Sequence, residues 1–537
     1  MSEHPTVPGE QRTTSKRLVY NTLFNVVTLM SNAVIGFFLI RFFLGRLGEA
    51  RYGVWVLIGS LFRYRGMLGM GLNSAVNRQI PVCLANDDAQ GIGRVVSTAL
   101  FFFLALALVV VLLTLLLWVK VGDWFAIEPE LVRTAGQLVL VTGLCFAVSS
   151  PLQLTTAILS GLQRYDVISV VTLAILVGRT AIVVFLVLRG YGLLAMGLVF
   201  GLSDICARAL QFSFARRLLP GVSLSARNVD LKLLKEMLSY GANTFMYATG
   251  ALVIYRASDL VIAALLDTTA VSRFAVATAG VLLLSQFLRA FTAAIKPAVS
   301  DLDARDEHAR VKEIAFLTQK YSLLLIIPAG CFLAVLGKEF LAVWVGAKFQ
   351  DPGVVGSLAA VLAVLTVGHC LRLAQHSNFL VLVGRGEHRV FGLLTAVTAV
   401  LCVSGSVVAL RYFNGGLLGV AWCNTVPMAL VSGLVLPVYF KKKMGITWGE
   451  SVAHVWRPAF VGGLPAVVLM GVWKLVAPPD SWLGLCAVVM AAAIVTGVCA
   501  WFLSLGQVER RRLLAALGRA QVAPGAEGFG AMSDEGA

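Results

Sequence analysis

Arginine recurs inside apolar runs long enough to cross a membrane, and this feature most restricts what the chain can become. A hydrocarbon slab about 30 Å thick takes roughly 20 apolar residues to cross as a helix. About fourteen runs satisfy that ruler: 18–44, 52–77, 93–119, 133–159, 167–189, 192–215, 238–266, 273–298, 314–337, 356–383, 389–411, 415–440, 458–477 and 482–505. Six arginines lie deep within them: Arg63, Arg65, Arg179, Arg256, Arg289 and Arg372. Each costs about 2.5–3.5 kcal/mol at a helix centre, so six facing lipid would cost on the order of 15–20 kcal/mol. The helices must therefore form a bundle that turns these side chains toward carboxylates, backbone or water. Two acidic residues lie within the runs, Asp204 and Asp259, each with an arginine nearby. The remaining arginines point to a wet, cationic interior suited to an anionic substrate. Phosphate fits best, because the guanidinium fork matches its oxygens.

Composition agrees. Of the 537 residues, 58% are hydrophobic and 13% charged, against about one-quarter charged in soluble domains. The fold class is an all-α integral membrane protein. The +16 net charge is spread over short loops, as at Arg216, Arg217, Lys441 to Lys443 and Arg510 to Arg512. That is how membrane proteins set their orientation, so it predicts no nucleic-acid partner. The bias places both termini in the cytoplasm. Residues 1–17 are polar and lead directly into an apolar run, so no cleavable signal peptide is expected. None of the nine cysteines forms a CxxC pair, which predicts neither disulfides nor a metal site; no cofactor is expected.

The chain also repeats itself. At an offset of about 222 residues, Asn21-Thr22 falls on Asn243-Thr244, and Arg51-Tyr52-Gly53-Val54 on Arg273-Phe274-Ala275-Val276. Arg189-Gly190-Tyr191-Gly192-Leu193-Leu194 finds its like from Arg411 to Leu418. Six helices per unit keep the membrane orientation, so the units are parallel repeats about an axis along the membrane normal. The expected organisation is a cytoplasmic segment 1–17, an N-lobe 18–219, an amphipathic cytoplasmic linker 220–237 and a C-lobe 238–440. Two further helices at 458–505 and a partly disordered tail at 506–537 follow. In the linker, Leu231, Leu234 and Leu238 share a face away from Lys232 and Lys235, which suits a helix on an anionic leaflet.

Polar stripes nominate the interior. Asn21, Asn25, Thr28 and Asn32 share one face of the first helix, either a cavity wall or a hydrogen-bonded seam. In the eighth helix Gln286, Arg289, Ala293 and Lys296 form a similar stripe. Arg63 and Arg65 are about 200° apart on a helix and cannot both face one cavity unless the helix breaks between them; Arg63 is favoured. In the tenth helix His369, Arg372 and His376 are spaced three and four, and the arginine between them argues against a metal. The expected lining is thus Arg63, Arg289, Arg372, Asn21, Asn25, Asn32, Gln286, His369 and His376, with the two arginine-bearing hairpins as facing walls of one cavity. Asp204 with Arg208, and Arg256 with Asp259, are structural ion pairs or sites of ion coupling.

No phosphate-binding loop, nucleophile elbow, HExxH or paired catalytic carboxylates occur, so a non-enzymatic transporter is expected. Here the chain resembles a known family. Leu47-Gly48-Glu49-Ala50-Arg51-Tyr52-Gly53-Val54-Trp55 resembles the first outside turn of Wzx-type polysaccharide flippases. Gly69-Met70-Gly71-Leu72-Asn73-Ser74-Ala75 is similar to the glycine-rich end of their second helix. Leu159-Ser160-Gly161-Leu162-Gln163-Arg164-Tyr165 is similar to their inside turn after helix four, and Asp259 sits where they often carry an aspartate. Arg63-Tyr64-Arg65 departs from their mostly uncharged helix two.

The resemblance implies a two-lobed, V-shaped alternating-access fold of the multidrug/oligosaccharidyl-lipid/polysaccharide exporter superfamily. It implies a substrate of polyprenyl-pyrophosphate-linked oligosaccharide, moved across a bacterial inner membrane, with membrane lipids and a downstream polymerase or ligase as partners. The competing readings are an ion-coupled multidrug or metabolite exporter of the same fold, which surplus arginine disfavours, and a glycan polymerase or ligase, which the short outside loops disfavour.

Overall fold

The computed structural model describes residues 8–64, 69–219, 225–293, 295–349 and 353–519. Among these the chain is helical, without strands. Twelve helices are long and apolar enough to cross a membrane. Two more helical stretches occupy the second and seventh places of the expected order: Glu49–Arg63 followed by Met70–Ala85, and the 35-residue Leu231–Leu265. The second is split just after Arg63, and the seventh carries Arg256 and Asp259.

Aspartates start helices where the sequence places them. Asp88, Asp230 and Asp267 accept the backbone N–H of Gly91 at 2.7 Å, Lys232 at 2.8 Å and Ala270 at 2.6 Å, satisfying donors that a helix end leaves open. Besides the second, the eighth helix is broken between Phe291 and Ile295, and two more drawn unbroken from the sequence are broken. The fourth runs Pro129–Ser149 and resumes at Gln153–Gly161, because Pro151 offers no N–H. The tenth runs Gly353–Ala374 and resumes at His376–Gly384. Gln153 and Gln375 stand at the two breaks with the repeat's offset of about 222 residues.

The lobes meet along the second and eighth helices, and the Met70–Ala85 half of the second lies along the seventh. Approach is closest at glycines. A Cβ on Gly53 would sit 1.7 Å from the Thr268 carbonyl oxygen, and one on Gly241 would sit 2.4 Å from the backbone of Gly71. At the end opposite the termini, Arg273 pairs with Glu49 at 2.6 Å. The Ala126 N–H donates to Ala263 at 2.8 Å, and Arg41 donates to the Val343 carbonyl at 2.9 Å. One apolar core containing Tyr52, Val271, Phe274 and Trp344 spans both lobes there. Toward the termini the core divides. Leu72, Ile80 and Leu159 form one cluster, and Val299, Val311 and Phe440 another. The lobes are thus joined by one continuous core at one end and, toward the termini, by the narrower contact of the second helix with the seventh, where Met237 packs into the first of these clusters.

The separate linker helix expected at 220–237 is absent from the described residues. Residues from Leu231 onward are the first turns of the seventh helix. Asp230 and Ser225 dock their N–H groups on the hydroxyls of Thr98 and Ser97, and this docking carries the chain straight into the bundle. Helices thirteen, from Trp448, and fourteen, to Ser504, pack beside the ninth, His308–Val335. Buried Lys320 of the ninth pairs at 2.5 Å with Glu509 of the tail helix Gln507–Arg519. The remainder of the expected tail, 520–537, lies outside the described residues.

Candidate functional site: a cationic central cavity and a smaller C-lobe pocket

Between the lobes lies a cavity of about 670 Å³, walled by the first, second, fourth, fifth, sixth, seventh and eighth helices. Four guanidinium-bearing residues line it: Arg63, Arg179, Arg208 and Arg256, with Asn32, Gln153 and Gln286 among its polar walls. Among the described residues, Asp204 is the carboxylate on the lining.

Helical spacing prepares the acid partners. Asp204 and Arg208 lie one turn apart and close to 3.4 Å. Arg208 also donates to the Thr156 hydroxyl at 3.4 Å, and that hydroxyl donates to Gln211 at 2.7 Å. Arg256 reaches Asp259 at 3.5 Å. Asp259 is 2% exposed and lies behind the wall, where the Ser60 hydroxyl donates to it at 2.6 Å. That bond joins the second helix to the seventh, so Asp259 fixes both the Arg256 head group and the lobe contact. Arg179 lies 4.4 Å over the Phe200 ring, a cation–π contact that orients it without neutralising it. Among the described residues four guanidiniums stand against two carboxylates, a positive balance.

The second site lies within the C-lobe. A pocket of about 50 Å³ is lined by Tyr255, Arg289, Arg372, Gln375 and His376. Arg372 and Arg289 stand 5.0 and 5.6 Å from the Tyr255 ring centre, and His369 stacks on that ring at 5.3 Å. The buried Nη1 of Arg372 and Nδ1 of His369 have no hydrogen-bond partner among the described residues.

The sequence-predicted residues therefore divide. Arg63, Asn32 and Gln286 line the central cavity, together with Arg256, Asp204 and Arg208. Arg289, Arg372 and His376 line the C-lobe pocket instead, and His369 stands behind Tyr255. The expectation of one chamber shared by Arg63, Arg289 and Arg372 is corrected: the polar stripe of the eighth helix splits, Gln286 facing one site and Arg289 the other. The side chains of Asn21 and Asn25, and all of Arg65, lie outside the described residues. Arg179 was legible as a deep arginine but not as lining. Its signal was its isolation in the apolar helix Tyr165–Leu188.

The all-helical bundle with a charged cavity between two lobes has a fold that solved transporters and flippases share. The lipid II flippase MurJ in an inward closed conformation matches with TM-score 0.67 at 15% identity, over 92% of this chain and 99% of that one. An inward-facing multidrug resistance MATE family transporter matches with TM-score 0.57 at 14% identity, over 79% and 94%. A transporter of the same superfamily from Pyrococcus furiosus, described as having a binding pocket of reverse polarity, matches with TM-score 0.56 at 15% identity, over 80% and 95%. More particularly, the model of a family described as polysaccharide biosynthesis protein matches residues 47–352, more than half the chain, and the protein belongs to that family. It is also 20% identical over 517 residues to the uncharacterized membrane protein EpsK of Bacillus subtilis (strain 168), covering 93% of this chain and 97% of that one.

Proposed function

We propose that this protein moves a polyprenyl-pyrophosphate-linked oligosaccharide from the inner to the outer leaflet of a bacterial cytoplasmic membrane, supplying a polysaccharide polymerase or ligase. The carrying observation is the central cavity, where four guanidiniums face about 670 Å³ of space with two carboxylates in attendance. Pyrophosphate is the part of such a substrate that guanidinium forks recognise best. The glycan occupies the polar remainder, and the lipid tail stays in the bilayer through a side portal. A core closed across both lobes at the end opposite the termini is what one state of an alternating-access cycle requires. The same positive interior is a poor host for cationic drugs, which places the multidrug reading second. A chain without a nucleotide-binding loop draws its driving force from an ion gradient, the membrane potential or substrate flow.

The test is reconstitution. Vesicles containing the protein and a fluorescent polyprenyl-pyrophosphate oligosaccharide should expose the label to an outside quencher faster than empty vesicles. Arg63→Ala combined with Arg179→Ala should abolish the difference. Equal rates in wild-type and empty vesicles would sink the proposal. Orientation is checked by cysteines placed at the exposed residues Ala126 and Ala226: external reagent should label the first and not the second.

A further inference from the structure

We propose that the C-lobe pocket is a binding site for one small inorganic anion of chloride or phosphate size, separate from the central cavity. Two guanidiniums, Arg289 and Arg372, flank one aromatic ring there. Among the described residues neither has a carboxylate within ion-pair distance, in contrast to Arg208 and Arg256. Two cations beside one ring repel one another, and a counter-charge between them relieves that repulsion.

Three further features point the same way. The Nη1 of Arg372 is buried with no partner among the described residues, and such a donor is costly to leave empty. The tenth helix breaks at Gln375, which is 2% exposed and lines the pocket. The helix His376–Gly384 therefore begins at the pocket with its positive end. The pocket is also the right size. About 50 Å³ holds a few waters or one compact anion and is far smaller than the central cavity. An anion there would link the seventh helix through Tyr255, the eighth through Arg289 and the tenth through Arg372 and His376, the segments that the C-lobe must keep in register while the lobes move.

The experiment uses the full-length protein purified in gluconate and titrated with sodium chloride, bromide or phosphate at constant ionic strength, following thermal unfolding. Saturable stabilisation by at least one of these over gluconate is expected. Its apparent affinity should fall about tenfold or more in Arg289→Gln and in Arg372→Gln, and should stay unchanged in Arg63→Gln. The anion that saturates identifies the ligand, and bromide soaked into crystals should show its anomalous peak beside Arg372. If Arg372→Gln does not fold, the exposed Arg289 carries the same comparison. No response beyond gluconate, or a response lost in Arg63→Gln and kept in Arg289→Gln, would overturn the assignment.

Discussion

The central cavity and the C-lobe pocket use the same residue type at breaks in repeat-related helices, yet they do opposite things with it. Gln153 marks the broken fourth helix on the wall of the first, and Gln375 marks the broken tenth on the wall of the second. Around the first, arginines are steadied by Asp204, Asp259 and Phe200 while still facing about 670 Å³ of space. Around the second, two arginines and two histidines crowd one tyrosine in about 50 Å³ with no acid beside them among the described residues. Partnered charge beside a large space can admit and release a substrate. Two cations without an acid beside them, one of them exposed, invite a bound counter-ion.

The sharpest way to break this comparison is to remove a partner. Asp259→Ala should strand Arg256 in a buried setting and cost about 3–5 kcal/mol, read as a large fall in unfolding temperature, with export lost. Asp259→Asn, which can keep the Ser60 bond, should cost less. Next, Arg63→Ala and Arg179→Ala should each reduce polysaccharide export in a deletion strain by about tenfold or more while the protein still inserts, whereas Arg289→Ala should reduce it less. Equal losses at all three positions would erase the distinction between the two sites. A subtler check is additivity. The sites share no lining residue, so Arg63→Gln and Arg289→Gln should change stability independently, summing to within about 0.5 kcal/mol.

The smallest effect is expected on the surface. Lys443 pairs with Glu387 at 2.6 Å and holds that carboxyl below its ordinary range, helped by the Tyr439 hydroxyl. A depressed carboxyl stabilises the fold above its unfolded pKa and loses that contribution as the pH falls. Glu387→Gln should therefore differ barely from wild type at pH 7 and not at all below about pH 4. A pronounced loss at neutral pH would show that exposed charge matters here as buried charge does.

Much of the fold was readable in the chain because its signals are local. Apolar runs fix spans whatever surrounds them, and Asp88, Asp230 and Asp267 mark helix starts because a carboxylate caps its own first turn. The pairs Asp204–Arg208 and Arg256–Asp259 follow from one turn of helix. The site was less readable. Periodicity places Gln286 and Arg289 on nearby faces of one helix, and it gave no hint that these faces open into different chambers. Nor did it show that the tenth helix stops at Gln375, where no proline forces a break.

What the chain alone determined is that arginine must lie in a bundle's interior, since hydrocarbon will not solvate it, and which residues neighbour it along each helix. Which arginines share a space, and how large that space is, was decided only when the helices took their rotation and depth. Gly53 against Thr268 and Gly71 against Gly241 set that packing, through contacts between segments 215 and 170 residues apart that no local spacing encodes.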